Sequence, residues 1–214
     1  MNTTAPEPST PAEPARPRSP RGQGERLRAE ILEAVARLLD ERVRHPDLAL
    51  SLREVARETG IATQSMYLHF PSKEALAWAA AADGYQRLVA AMREAADRTE
   101  GDAADRLRAQ GHAFWEFSLA NRGVIRLMFG HDVSRLDPDK PEHPGAVLWY
   151  QWLDAVHACE AEGRDFPGGA EMAAISLWSA LLGRFALWST TFGHTDPASM
   201  RAFTDHTIDR ILTE

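Results

Sequence analysis

SLREVARETGIATQSMYLHFPSK, running from Ser51 to Lys73, is read by spacing as two short helices across a tight turn. Ser51 is a good N-cap, and Glu54 stands three residues later, the spacing of a capping box. Leu52, Val55 and Ala56 make one apolar face at i, i+3 and i+4. Gly60 falls where a helix ends in the left-handed conformation. Ile61, Met66 and Phe70 form a second apolar set, with the polar Thr63, Gln64 and Ser65 between them. Pro71 and Ser72 stop that helix and cap the next. A hairpin whose second helix opens on polar residues fits a helix-turn-helix DNA reader, and equally an ordinary hairpin inside a bundle.

The run Gly60 to Leu76, GIATQSMYLHFPSKEAL, resembles the signature of the tetracycline-repressor (TetR) family. In that family a turn glycine precedes the recognition helix. A Tyr-x-His-Phe segment, here Tyr67, His69 and Phe70, ends it. A Ser-Lys-Glu-x-Leu segment, here Ser72, Lys73, Glu74 and Leu76, opens the next helix. Leu52-Arg-Glu-Val55-Ala56 matches as well, and the likeness spans about Glu25 to Ala79. It implies an all-α fold: a three-helix DNA-binding domain over residues 23–71, then a helical-bundle ligand-binding and dimerisation domain over 72–214. One position departs. Ala62 stands where the family often has Ser or Thr, so the recognition helix is expected to lack its side-chain cap.

The charge distribution agrees with a DNA reader joined to a separate body. The net charge of −7 is uneven. Arg16 to Lys73 holds 11 Lys/Arg against 8 Asp/Glu, whereas Glu74 to the end holds 13 against 21. An acidic body also serves solubility. Apolar residues make up 44% of 214, enough for a real core and too many for bulk disorder. The single cysteine, Cys159, rules out an internal disulfide and fits a reducing compartment. There is no apolar signal core and no run of eighteen apolar residues, so neither export nor a membrane span is expected, and the cytoplasm is the expected location.

Residues 1–22 form a tail with Pro8, Pro11, Pro14, Pro17 and Pro20 at every third position, read as a disordered extension ending in Arg16, Arg18 and Arg21. Helices are expected over Glu25–Arg42, Ser72–Arg98, from Asp102 onward, Val124–Phe129 after an interruption at Asn121-Arg-Gly123, Ala146–Glu162, Ala170–Phe192 and Pro197–Leu212. His45-Pro46-Asp47 is a connection. The proline-rich loop Gly130–Pro144 carries His131, Asp132, Asp137, Asp139, Glu142 and His143; no spacing there puts two ligands on one helix face, and no metal or cofactor is expected.

In a DNA reader, Thr63, Gln64 and Ser65 would meet base edges in the major groove. The resemblance gives Tyr67, His69 and Lys73 phosphate contacts, and Ser51 caps a helix whose free N–H groups suit a phosphate. A palindromic duplex site needs two copies, so a homodimer is expected, through residues 170–192 and 197–212, since the first of these helices is apolar on most of its circumference. Aromatics cluster late in the chain. Tyr85, His112, Trp115, Met128, Trp149, Trp152, Trp178 and Phe185 are the expected lining of an apolar effector pocket, with His112, His157 and Gln151 as polar anchors. Plain core packing explains the same residues. Trp178-Ser-Ala-Leu-Leu182-Gly183 resembles the subgroup of the family whose ligand domain ends in Trp-x-x-x-His-Gly, with Leu182 at the histidine position.

These readings make the chain a ligand-responsive regulator, a repressor released from double-stranded DNA by a small apolar molecule. A ligand-independent DNA-bound recruiter is the competing reading. A helical-bundle enzyme or carrier is a third, although no catalytic constellation stands out.

Overall fold

The computed structural model describes residues 23–44, 51–130, 143–189 and 196–213. The tail 1–22, the connection His45-Pro46-Asp47, residues 190–192 of the expected long helix, and His131, Asp132, Asp137, Asp139 and Glu142 lie outside the described residues. Among the described residues there are helices and no strands: α1 (Gln23–Arg44), α2 (Leu52–Thr59), α3 (Thr63–His69), α4 (Lys73–Asp97), α5 (Ala103–Ala120), α6 (Arg122–Met128), α7 (Ala146–Ala161), α8 (Gly169–Leu187) and α9 (Pro197–Thr213).

Local chemistry sets most of the boundaries. The Ser51 hydroxyl accepts the Glu54 N–H at 3.2 Å and starts α2. The reciprocal half of the expected capping box is replaced by a longer-range contact: the Glu54 carboxylate pairs with Arg42 at 3.3 Å and ties α2 to the end of α1. Gly60 ends α2 at φ +70°, and the Ile61 N–H reaches back to the Ala56 carbonyl at 3.0 Å. This six-to-one bond is the Schellman arrangement, and glycine adopts the required φ without strain. α3 starts at Ala62 with no side-chain cap. Ser72 caps α4 through the Ala75 N–H at 3.0 Å, and Asp102 with Asp105 makes a full capping box on α5.

Two apolar cores share one helix. Ile31, Val35, Val55, Met66, Phe70 and Leu76 are buried together, joining α1, α2 and α3 to the first turn of α4. Further along α4, Tyr85, Leu88 and Met92 join Leu107, Phe114, Ile125, Trp152, Leu177 and Leu181 in the larger core of the body. Ala79 and Ala80, beyond the expected boundary at residue 71, therefore belong to the smaller core.

α6 begins earlier than its sequence suggests. Asn121-Arg-Gly123 reads as a break, yet Arg122 and Gly123 are helical. The cap comes from another helix: the Gly123 N–H donates to Asp40 Oδ1 on α1 at 2.7 Å. A Cβ at Gly123 would stand 2.2 Å from the Leu39 carbonyl, so only glycine permits this approach of α6 to α1.

α8 is long and apolar enough to cross a membrane by length and composition, and 33% of that stretch is buried inside the subunit. Ala173, Ala174, Leu177, Leu181 and Phe185 enter the core, while Met172, Ile175 and Leu187 are exposed.

Candidate functional site

The surface formed by α2, α3 and the start of α4 gathers the residues expected to meet DNA. Met66 and Phe70 are buried behind α3, and Arg28 of α1 stands over the Phe70 ring at 4.5 Å. This fixes the outward edge. Gln64, Tyr67 and Leu68 are exposed, at i, i+3 and i+4, while Thr63, Ser65 and His69 are half-buried. Ser51 and Lys73 are exposed at the starts of the flanking helices, with Arg53 and Arg57 exposed on α2. Leu68 was missed by the sequence reading although it is 82% exposed; its signal was the i+4 step from Gln64.

A second feature lies in the body. A cleft of about 680 Å³ is lined by Tyr85, Met128, Phe129, Gly130, His143, Gly145, Ala146, Trp149, Trp178 and Leu182. The Tyr85 hydroxyl donates to the Met128 carbonyl at 2.8 Å, joining α4 to the last turn of α6. Burial pushes the Tyr85 phenol well above its ordinary range, so it stays protonated and remains a donor. α6 is thus bonded to α1 at its first turn and to a cleft wall at its last.

Two family profiles match the chain. That of the "Bacterial regulatory proteins, tetR family" matches residues 31–80, and that of the "Tetracyclin repressor-like, C-terminal domain" matches residues 107–211. The chain belongs to the TetR family. It is 28% identical over 104 residues to the nucleoid occlusion factor SlmA of Vibrio campbellii. That match takes in 49% of this chain and 52% of the relative, so the chain spans about half the length of the curated relative it matches. Among solved structures, a protein of unknown function from Rhodococcus sp. RHA1 superposes with a TM-score of 0.70 at 26% identity, over 92% of this chain and all of the other. The TetR family transcriptional regulator PfmR from Thermus thermophilus shares the fold, with a TM-score of 0.64 at 20% identity over 84% of this chain and 97% of its own.

Within this TetR-family fold, the expected effector residues divide. Tyr85, Met128, Trp149 and Trp178 line the cleft. His112, Trp115, Trp152 and Phe185 do not. His112 faces α9, where Nε2 stands 2.8 Å from Asp205. Trp152 is fully buried against Phe114, and Trp115 packs on Phe185, whose other neighbour is Trp188. The expected anchors are also elsewhere. Gln151 is buried in a chain from Arg93 to Gln110, with bonds of 2.6 and 2.7 Å, and His157 pairs with Glu160 on the surface at 2.8 Å. The histidine that does reach the cleft is His143, which the sequence offered only as a loop metal ligand. A buried residue with several aromatic neighbours looks the same in sequence whether it fills a core or edges a cavity, because periodicity reports burial and not what lies beyond it. Cys159 is fully buried; burial first, then Glu162 and Asp102, pushes its thiol up to about 11, which makes it inert packing.

Proposed function

We propose that this chain is a transcriptional regulator of the repressor type that binds a palindromic operator as a homodimer and is released by a small apolar effector. Acting on DNA, it would work in the cytoplasm, without enzymatic activity or a cofactor. The observation that carries this reading is the exposed edge of α3, Gln64, Tyr67 and Leu68, held by the buried Met66 and Phe70. An α-helix with such an outward edge fits the major groove.

Gln64 offers a donor and an acceptor suited to adenine, Leu68 an apolar tip suited to a thymine methyl, and Thr63 and Ser65 flank them. Ser51, Tyr67, His69 and Lys73 take phosphates. Selection from a random DNA pool with purified protein should return a palindrome. Gln64→Ala should relax base preference, and Leu68→Ala should weaken only sites whose facing thymine is not already replaced by uracil, which lacks the methyl. Lys73→Ala should weaken all sequences alike and lower the salt slope by about one. Equal losses on specific and random DNA for all three variants would overturn this division of roles.

The exposed Met172, Ile175 and Leu187 of α8 form the face that a second copy covers, with α9 beside it. Ile175→Lys should give a folded monomer by sedimentation, with operator affinity lower by at least about two orders of magnitude because one half-site is lost. A variant that stays dimeric would move the interface elsewhere.

The effector cleft favours a sensor over a ligand-independent recruiter. Its route to DNA is short. A molecule pressing on Met128 and Phe129 acts on the last turn of α6, and the first turn of α6 rests on α1 through Gly123 and Asp40. A shift there would tilt α4 and change the separation of the two recognition helices against a groove repeat of about 34 Å. The effector needs only to bind the released form better. We also place the body in the Trp-x-x-x-His-Gly subgroup. Trp178 and Leu182 of that segment both line the cleft, so the histidine position here supplies an apolar wall.

A further inference from the structure

The cleft in the body has a one-sided chemistry. Four aromatic residues, Tyr85, Phe129, Trp149 and Trp178, line it with His143, and none of its described lining residues is an acid, a lysine or an arginine. The rings brace one another edge to face: Tyr85 on Phe129 at 5.6 Å and Phe129 on Trp178 at 6.4 Å. His143 is held between Trp78 and Tyr85 at 5.9 and 6.0 Å.

The polar side-chain groups this lining has to offer a ligand are N–H donors. The Gly145 N–H donates to His143 Nδ1 at 3.0 Å. Nδ1 is thus taken as an acceptor, and Nε2 is the ring nitrogen left to donate. An indole N–H can only donate, and that of Trp178 is buried without a hydrogen-bond partner. The indoles of Trp115, Trp152 and Trp188 are likewise buried without a partner; Trp178 is the one of these four that lines the cleft, where an entering acceptor can meet it. The Tyr85 hydroxyl is already used on the Met128 carbonyl.

We infer that the cleft takes an uncharged, flat ring compound bearing a hydrogen-bond acceptor such as a carbonyl, received by His143 Nε2–H and the Trp178 indole. This rests on the reading of the chain as an effector-controlled regulator and names the chemistry of its effector. An anion would meet N–H donors but no counter-charge on the described walls, and a cation would meet ring faces but no carboxylate there; neither regains its lost hydration as fully as a neutral acceptor does. A volume of about 680 Å³ suits a ligand of drug-like size.

Calorimetric titration of the full-length protein with four probes of one shape tests this: methyl naphthyl ketone, ethylnaphthalene, naphthoate and naphthyltrimethylammonium. The ketone should bind about tenfold tighter than the hydrocarbon, the yield of one to two net hydrogen bonds, and tighter than either ion. His143→Leu and Trp178→Phe should each reduce that preference while leaving hydrocarbon binding in place. Leu182→Trp, which fills the cleft, should remove both. Tightest binding by either ion, equal binding of ketone and hydrocarbon, no binding of any probe, a preference unchanged in both donor variants, or ketone binding that survives Leu182→Trp would each overturn the inference. Operator binding is measured in parallel. A ketone preference that depends on His143 or Trp178, without operator release, would uphold the chemistry of the cleft and overturn its regulatory reading.

Discussion

Gly123→Ala is expected to lower the melting temperature and weaken operator binding together, while leaving the dimer intact. The added methyl would sit 2.2 Å from the carbonyl carbon and oxygen of Leu39 and 2.5 Å from the Asp40 nitrogen. These are backbone atoms of α1, so no rotamer change relieves the clash, and α6 must withdraw. Withdrawal also stretches the 2.7 Å bond from the Gly123 N–H to Asp40. Overpacking of this kind costs about 1–3 kcal/mol, equivalent to roughly 2–12 °C in a chain of this size. In the proposed mechanism the α6–α1 contact is the path by which the cleft reaches the DNA-binding helices, so the operator response to effector should fall as well. Asp40→Asn, which keeps an acceptor at the same place, should cost less. Calorimetry with operator binding measured on the same samples checks this; a Gly123→Ala protein that melts and binds like the parent would show that α6 does not bear on α1 in solution.

Phe70→Ala carries the other large effect. Phe70 is buried at the end of α3 with Met66, Leu76 and Ile31, in a core to which α2 and α3 contribute only a few side chains. Truncation of a buried phenylalanine costs about 3–5 kcal/mol, a large part of the total stability of an ordinary domain. It also removes the ring beneath the Arg28 guanidinium. DNA binding should be lost while the body, whose core is separate, keeps its helices. Hydrogen exchange would show α1 to α3 deprotected, with α6 loosened where it rests on α1, and α5 and α7 to α9 unchanged. Leu68→Ala on the same short helix is the control: Leu68 is exposed, so its removal should not alter the melting temperature. Continued protection of α3 in Phe70→Ala would mean that the recognition edge is held by something other than its apolar back.

The DNA-facing module was legible because its signals are local. Ser51, Gly60 and Ser72 act on backbone groups within three to five residues, and Met66 and Phe70 sit four apart, so spacing alone assigns the back of α3. The absence of a cap at Ala62 could be read the same way. The body was legible only as helices. α7 and α8 are apolar around most of their circumference, so no stripe indicates which side turns to the core, the cleft or a second copy.

Sequence by itself determined the all-α class, the order of the helices and the buried back of the recognition helix, since these follow from interactions within a turn or two of chain. Tertiary structure alone decided that Arg122 and Gly123 are helical, that Trp152 fills a core while Trp149 edges a cleft, and that His143 joins that cleft. Each of those outcomes depends on atoms brought together from far apart in the chain: Asp40 capping Gly123, Phe114 against Trp152, Tyr85 and Trp78 against His143. Helical spacing fixes which residues share a face; the packing of one helix on another fixes what that face meets.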